Sequence, residues 1–209
     1  MRITVLGATG RTGRPLIDLA VERGHEVVAF ARSPADVEPR DGVTVVGGDA
    51  YTGEGVSEAV AGADAVVSVM GQTGDGPDDL LTAAGDHILS AMDEHGVERF
   101  VTLVGAGVRE PDEAVSLSGR VMGAALKLLA REVLADAATH VERLRDTDLA
   151  WTVVRAPRLT DGEGTGDYRA GDIALGFESV ARADVARFIL DCLDDESHVR
   201  ESPNVGPAA

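Results

Sequence analysis

Cysteine and lysine are almost absent from this 209-residue chain, and aromatic residues are scarce. Cys192 is the only cysteine, so an internal disulfide bond is excluded. Aromatic residues make up 3% of the chain and hydrophobic residues 44%, so we expect a core of Val, Leu, Ile and Ala. No apolar run approaches the ~18 residues of a membrane-spanning helix, and the first residues lack a signal-peptide pattern. These absences predict a soluble, cytoplasmic protein, and the length of 209 residues predicts a single domain.

Basic residues are also few in this chain. The chain has 19 basic and 36 acidic residues, a formal charge of −17, and Lys127 is its only lysine. This charge disfavours nucleic acid and anionic membranes as partners, because both bind positive surfaces. The acidic residues are spread along the whole chain, which favours a halophilic protein whose solvated surface suits a salt-rich cytoplasm. A GC-rich genome, which also favours Arg, Ala, Gly and Asp, is the alternative interpretation.

The first 23 residues carry the most informative pattern. The apolar stretch 1–6 predicts a buried strand, the stretch Gly7-Ala-Thr-Gly-Arg-Thr-Gly13 predicts a turn, and 14–23 predicts a helix. A glycine turn between a strand and a helix presents backbone N–H groups, and the positive end of the helix dipole, to a phosphate. Gly7 permits the tight turn, Gly10 allows a pyrophosphate to approach the backbone, and Gly13 allows close packing of the helix.

Strands and helices alternate along the rest of the chain. The predicted strands are 26–30, 43–46, 64–70, 99–104 and 151–155, and the predicted helices are 54–61, 78–95, 119–145 and 183–193. The long helix 119–145 has an apolar face of Met122, Leu126, Leu129, Val133, Leu134, Val141 and Leu144. We interpret 158–172 as a glycine-rich loop and expect a short strand within 173–180. The pattern predicts an α/β fold with a doubly wound parallel sheet, with a cofactor part at about 1–107 and a small substrate lobe at about 108–209.

Three motifs together resemble the atypical short-chain dehydrogenase/reductases. They are the turn Gly7–Gly13, the pair Gly48-Asp49 after the third strand, and Trp151-Thr-Val-Val-Arg-Ala-Pro157 at the sixth. The most similar branch is the NAD(P)H-binding group of NmrA-like proteins and biliverdin-reductase-B/flavin-reductase-like enzymes. The resemblance implies a Rossmann fold that binds a nicotinamide dinucleotide, with the C-terminal lobe over the nicotinamide.

Arg32 indicates which dinucleotide is bound. An acidic residue at the end of the second strand would bond the ribose 2′-hydroxyl of NAD(H), but this segment reads Phe30-Ala31-Arg32-Ser33. Arg32 can pair with a 2′-phosphate and Ser33 can add a hydroxyl, so we predict NADP(H) rather than NAD(H). A solvated surface arginine is the alternative. Within the glycine turn, Thr9, Arg11 and Thr12 are further candidates for the phosphates, although Arg11 could also point to solvent.

The remaining cofactor residues follow the other strands. By resemblance, Asp49 and Ala50 border the adenine, with Asp49 bonding its amino group; capping of the next helix by Asp49 is the alternative. Met70, Gly71 and Gln72 are expected to pass the ribose and pyrophosphate. Gly105 follows the fifth strand, and the resemblance places Pro157 and Arg158 beside the nicotinamide.

Catalytic residues are harder to assign. Catalytic short-chain dehydrogenases use a Tyr-x-x-x-Lys pair, yet Gly55 and Asp172 stand four residues after Tyr51 and Tyr168. His140 is a candidate proton donor, with a packing role as the alternative. Tyr168 is the other candidate, on a stretch 162–171 that could form a lid or an ordinary loop. No histidine spacing typical of a metal site is present.

Hydride transfer to a flavin or a quinone needs little acid–base apparatus, because the cofactor carries the reactive hydride. We therefore predict an NADPH-dependent reductase without the Tyr-x-x-x-Lys pair, acting on a small-molecule acceptor as a monomer or dimer. A non-catalytic NADP(H)-sensing regulator of the NmrA-like kind is the alternative. A sugar-nucleotide epimerase would need the missing pair and a larger C-terminal domain.

Overall fold

The computed structural model describes residues 1–71, 76–108 and 131–208, which contain ten strands and five α-helices. The strands are β1 (Arg2–Leu6), β2 (Glu26–Ala31), β3 (Val43–Gly47), β4 (Ala65–Ser68), β5 (Arg99–Gly105), β6 (Ala150–Ala156), β7 (Arg158–Thr160), β8 (Tyr168–Gly171), β9 (Ser179–Ala181) and β10 (Asn204–Pro207). The helices are α1 (Gly13–Glu22), α2 (Val56–Val60), α3 (Leu80–His95), α4 (Arg131–Arg145) and α5 (Arg182–Asp194). None of these helices is long and apolar enough to cross a membrane.

Eight strands form one sheet in the order β3-β2-β1-β4-β5-β6-β10-β8. The strands from β3 to β10 are parallel to their neighbours, and β8 pairs antiparallel with β10. The order reverses at β1, which has β2 on one side and β4 on the other. This confirms the predicted doubly wound α/β fold, and it places a crevice at the carboxyl ends of the strands beside β1.

Helices cover both faces of this sheet. Alternate residues of β2 face opposite layers: Val27 and Ala29 join the core beneath α1 and α5, while Val28 and Phe30 join the core beneath α2, α3 and α4. Both cores consist mainly of Val, Leu, Ile and Ala, as the composition predicted. The alternation follows from the two-residue period of a strand.

The C-terminal part contains more strand than the sequence indicated. The predicted loop 158–172 is wrong, because β7 and β8 lie within it. A strand was expected within 173–180; β9 overlaps only the last two residues of that stretch, and it pairs with β7 in a separate two-stranded sheet. Strand β10 was not predicted, since its short sequence Asn204-Val-Gly-Pro207 contains three residues that strands disfavour.

Helix α4 buries Val141 and Leu144 of the predicted apolar face, together with polar residues that were not expected to be buried. Val133 is 41% exposed, whereas the polar residues Asp136 and His140 are buried. Asp136 accepts hydrogen bonds from the backbone N–H groups of Leu81 (2.8 Å) and Thr82 (2.9 Å), in the first turn of α3. A carboxylate on α4 therefore caps the positive end of another helix, which explains its burial. Met122, Leu126 and Leu129 lie outside the described residues.

Candidate functional site

The turn between β1 and α1 needs glycine at its first and last positions. Gly7 has φ = +86°, and a Cβ there would lie 3.0 Å from the backbone nitrogen of Met70. A Cβ on Gly13 would overlap the Gly7 carbonyl oxygen and lie 2.9 Å from that of Ala8. The first turn of α1 therefore sits directly on the end of β1. The Gly10 N–H donates to the Gly7 carbonyl over 2.9 Å, which closes the turn.

The same turn leaves donors at the start of α1. Thr12 is the N-cap residue, its side chain forms no capping hydrogen bond, and the helix has no acidic residue in its first turn. The backbone N–H groups of Arg11 and Thr12 find no acceptor in the described part of the chain. Unpaired amides at the positive end of a ten-residue helix fit a phosphate group. Gly7–Gly13 thus fits the pyrophosphate of a dinucleotide.

The register of β1 and β2 places the residues that follow β2 at the same edge of the sheet as the glycine turn. Leu6 pairs with Phe30, so Gly7 lies level with Ala31, and Arg32 and Ser33 follow immediately. Both Arg32 and Ser33 are exposed, and no described residue bonds either side chain. An unpaired guanidinium beside a hydroxyl fits a phosphate monoester such as the ribose 2′-phosphate.

The residues that follow β3 are partly used by the protein itself. Asp49 Oδ1 accepts the Tyr51 backbone N–H over 2.9 Å, which closes the loop after β3. The alternative that Asp49 caps the next helix is wrong, because the N-cap of α2 is Gly55 and has no side-chain bond. Ala50 is 5% exposed and packs in the core. Contact of Asp49 and Ala50 with an adenine stays a prediction.

The ends of β4, β5 and β6 lie side by side at the same edge. The register aligns Ser68, the last residue of β4, with Thr102 of β5, and Gly71 follows three residues after the end of β4. Gly105 pairs with Ala156 just before Pro157. A Cβ built on Gly71 or Gly105 meets no atom of the described residues within 4 Å, so the described part of the chain leaves space beside both glycines. Met70, between Val69 and Gly71, is half-buried. Gln72 lies outside the described residues.

Arg14 is a site residue that the sequence analysis missed. Its Nε donates to the Thr9 carbonyl (3.1 Å) and its guanidinium also reaches the Asp36 carbonyl (3.4 Å). The side chain therefore joins the glycine turn to the short turn after Arg32, and it adds positive charge between them. The feature of the sequence that could have indicated Arg14 is its position as a basic residue directly after the last glycine of the motif.

Arg11 is paired across the molecule. Its guanidinium lies 3.0 Å from Asp161, and Arg182, the first residue of α5, lies 2.6 Å from the other oxygen of Asp161. Arg11 and Asp161 are well exposed, at 71% and 58% of their side-chain surface. An incoming phosphate would compete with this carboxylate for Arg11. Neither Asp161 nor Arg182 was expected at the site from the sequence.

Asp161→Asn is therefore expected to tighten NADP(H) binding, because the substitution releases Arg11 and removes a negative charge near the phosphates. Because an exposed ion pair contributes at most about 1 kcal/mol, Kd should fall by no more than about fivefold. Calorimetric titration measures this change. Asp172→Asn, an exposed acid on the same lobe, is the control and should bind as the wild type does. Weaker binding by Asp161→Asn would show that Asp161 supports the bound state instead.

His140 does not reach the crevice. The ring is 3% exposed, its Nε2 lies 3.2 Å from the Thr102 hydroxyl, and it packs edge-on against Phe100. A Cβ on Gly85 would overlap its Nδ1, so α3 also covers it. Burial lowers the pKa of His140 to about 4, against the opposing effect of Asp136 and Asp86. His140 is a neutral packing residue, so the structure contradicts the proton-donor role.

The Tyr168 side chain packs against α5, away from the glycine turn. Its hydroxyl donates to Asp191 of α5, and its ring packs on Phe188 at a centroid distance of 5.3 Å. Asp191 in turn pairs with Arg23, which follows the last residue of α1. Since α1 begins at the glycine turn, this cluster lies at the far end of the helix, roughly 15 Å away. Burial and the Asp191 bond raise the pKa of Tyr168, which opposes catalysis.

Acid should destabilise the protein through His140. The unfolded chain binds a proton near pH 6.5 and the folded chain only near pH 4, so stability falls as the pH drops through this window. At pH 5 the loss is about 2 kcal/mol. Between pH 7 and pH 5, the free energy of unfolding of His140→Gln should therefore fall by about 2 kcal/mol less than that of the wild type, as measured by urea unfolding. Parallel pH profiles of the two proteins would contradict the prediction.

The segment 162–171 is not a free lid. Asp184, buried in the first turn of α5, accepts the backbone N–H groups of Thr165 (3.2 Å) and Gly166 (2.9 Å). The segment then continues into β8, which pairs with β10. The lid interpretation is wrong because the segment is fastened by a buried carboxylate and by sheet hydrogen bonds. Within the described ranges, no group of three or more His, Cys, Asp or Glu side chains could hold a metal ion.

Comparison with known proteins agrees with this geometry. A family model described as NAD(P)H-binding matches residues 7–196. Protein YwnB of Bacillus subtilis is 31% identical over 212 residues, an alignment that covers 96% of each chain. The 2-alkyl-3-oxoalkanoate reductase of Stenotrophomonas maltophilia is 31% identical over 78% of this chain, but this chain spans only 52% of that enzyme.

Solved structures share the fold. A short-chain dehydrogenase/reductase from Veillonella parvula, solved in complex with NADP, superimposes with a TM-score of 0.81 over 98% of this chain and 94% of its own, at 20% identity. An epimerase-like protein from Bacteroides thetaiotaomicron gives a TM-score of 0.83 at 24% identity, over 100% and 97% of the two chains. The glycine turn, the crevice beside β1 and the family match lead to one conclusion: this chain belongs to the NAD(P)H-binding family.

Proposed function

We propose that this protein is an NADPH-dependent reductase that passes a hydride to a flavin, a quinone or a similar small acceptor. The observation that carries the proposal is the pairing of an open glycine turn with the exposed, unpaired Arg32 one strand away. The reductase named among the relatives supports the class of reaction, and the acceptor is our inference.

NADP(H) is preferred over NAD(H) in this proposal because of the charges at the end of β2. Arg32 precedes the turn that begins at Pro34, and Arg14 reaches the carbonyl of Asp36 at the end of that turn. These two cations stand out in a protein whose net charge is −17. A bound 2′-phosphate would replace water at Arg32 with a charge-assisted hydrogen bond, and Ser33 would add a second donor. Positions 32 and 33 carry no carboxylate that could accept a hydrogen bond from the free 2′-hydroxyl of NAD(H).

The protein's part in the reaction is to bind and to orient. The amides of the glycine turn hold the pyrophosphate, and Gly71 and Gly105 leave room for the nicotinamide half to pass. When bound, the reduced nicotinamide supplies two electrons and one hydrogen to the acceptor, leaving NADP⁺. The second hydrogen of the acceptor comes from water as a proton, which is consistent with His140 and Tyr168 both being engaged inside the protein.

A panel assay tests the reductase proposal. The purified protein in high salt is mixed with NADPH and a series of flavins, quinones and dyes, and oxidation is followed at the nicotinamide absorption band. We expect faster oxidation than in the absence of protein with at least one acceptor. Tight NADPH binding with no oxidation across the panel would contradict a reductase and favour a sensor.

A non-catalytic NADP(H)-sensing regulator is the second candidate. What favours it is that the Tyr-x-x-x-Lys pair is missing and that Tyr51, like Tyr168, is engaged: its hydroxyl donates to Asp79 over 3.1 Å. The panel assay separates the two candidates. The acidic composition leads us to propose, in addition, that the protein works in a salt-rich cytoplasm, where counterions screen its self-repulsion.

A further inference from the structure

A cavity of about 260 Å³ lies in the groove between α1 and α5. One wall is α1, the facing wall is α5, and the segment that contains Gly164 and Gly166 completes the lining. None of the described residues that line it belongs to the glycine turn or to the end of β2. The volume is slightly below the ~300 Å³ at which pockets for drug-sized ligands begin, so the cavity has room for a small metabolite.

Buried contacts fix the shape of this cavity. Helices α1 and α5 share one hydrophobic core, which holds the two walls against each other. The Asp184 carboxylate, in a residue that is 4% exposed, accepts the N–H groups of Thr165 (3.2 Å) and Gly166 (2.9 Å). A Cβ on Gly164 would lie 2.6 Å from Asp184 Oδ1, so the segment can approach α5 this closely only because residue 164 is glycine. The cavity is therefore formed before a ligand arrives, which lowers the entropic cost of binding.

The two walls carry charges of opposite sign. On α5, Arg187 is half-buried beside Gly166, and no described residue accepts a hydrogen bond from its guanidinium. On α1, Glu22 is exposed and has no partner in the described ranges. Asp18 lies one turn before it, about 6 Å along the helix, and uses Oδ1 to accept a hydrogen bond from Arg40. A cation on one helix thus faces carboxylates on the other across the cavity.

This charge arrangement determines which ligand fits. A purely anionic ligand would be repelled by the carboxylates of α1, and a purely cationic ligand would be repelled by Arg187. A zwitterion complements both walls. Leu19, which lies between Asp18 and Glu22 in the lining, adds an apolar surface.

We propose that this cavity is a binding site for a small apolar amino acid, separate from the cofactor site. The carboxylate of the ligand pairs with Arg187, and its ammonium group pairs with Glu22 and the second oxygen of Asp18. Its apolar side chain packs on Leu19. The inference goes beyond the reductase proposal and does not depend on it, because this site needs neither NADPH nor an acceptor.

An NMR titration tests the site. The backbone amide shifts of ¹⁵N-labelled protein are followed as L-leucine is added. Two further titrations use 4-methylpentanoate and 3-methylbutylamine, which are leucine without its ammonium group and leucine without its carboxylate. We expect L-leucine to shift the amides of Gly164, Gly166 and Arg187 with a Kd of about 1 mM or tighter. Each analogue should bind at least about fivefold more weakly, because each loses one charged pair.

Two variants assign the charged pairs. We expect Arg187→Gln to weaken L-leucine binding by about fivefold, and Glu22→Gln to weaken it by about threefold, since Asp18 still faces the ammonium group. Arg131→Gln on α4 and Glu26→Gln at the start of β2 make the same changes in net charge at exposed positions outside the cavity. Both controls should bind L-leucine as the wild type does.

The proposal is overturned if L-leucine shifts no amide at the cavity, or if 4-methylpentanoate binds as tightly as L-leucine. Wild-type affinity in both Arg187→Gln and Glu22→Gln would also overturn it. These outcomes leave the reductase proposal untouched, because that proposal fails only by an absence of NADPH oxidation across the panel of acceptors.

Discussion

Replacing Gly13 by alanine is expected to lower the melting temperature by about 10 °C and to weaken NADP(H) binding by at least about tenfold. The new Cβ would overlap the carbonyl oxygen of Gly7 and press on that of Ala8. Both neighbours are backbone atoms of the turn that directly follows the central strand β1, so they have little freedom to move. Helix α1 must therefore move off β1, which displaces the amides at its first turn from the phosphate position.

A matched substitution separates this effect from the general cost of replacing glycine. Gly162 has no atom within 4 Å of a built Cβ and does not adopt a positive φ, so Gly162→Ala should leave stability and affinity unchanged. Thermal unfolding and calorimetric titration of the two variants measure both quantities. Wild-type stability and affinity in Gly13→Ala would show that the turn tolerates a larger residue and that its geometry is misassigned.

Replacing Arg32 by aspartate is expected to weaken NADPH binding by about 100-fold and to leave NADH binding nearly unchanged. The substitution removes a charge-assisted hydrogen bond to the 2′-phosphate and adds a repulsive carboxylate. NADH has a hydroxyl at that position, which a carboxylate can accept as a hydrogen bond. Titration of each cofactor against wild type and variant gives the ratio of the two effects.

The control for Arg32→Asp has to reproduce its change in net charge. Arg200→Asp does so beside the start of β6, where the Arg200 N–H bonds the Trp151 carbonyl, at the opposite edge of the sheet from the crevice. It should weaken NADPH binding only slightly, through the overall field of the protein. Equal loss of NADPH and NADH affinity in Arg32→Asp would contradict contact with the 2′-phosphate.

The fold and the edge of the site could be predicted because their determinants are local. The spacing of Gly7, Gly10 and Gly13 fixes the turn, and parallel strands necessarily bring their carboxyl ends to one edge. That rule alone placed Arg32, Gly71, Gly105 and Pro157 at the same edge of the sheet. None of these inferences required a contact between distant side chains.

The contacts that could not be predicted join residues far apart in the chain. Asp161 meets Arg11 across 150 residues, and Asp136 caps α3 from 55 residues away. No periodicity in the sequence reports such pairs. The same reason explains why His140 was wrongly predicted as a proton donor. Helix α3 and strand β5 pack over its side chain, and this burial depends on contacts that the sequence of α4 does not report.

Calorimetric titration of the wild-type protein with NADP⁺ and with NAD⁺, at one salt concentration, tests the central claim most directly. The claim is that Gly7–Gly13 and Arg32 together hold a dinucleotide with a 2′-phosphate. The structure leads us to expect a single site per chain and NADP⁺ binding at least about tenfold tighter than NAD⁺. Equal affinities, or tighter binding of NAD⁺, would contradict it.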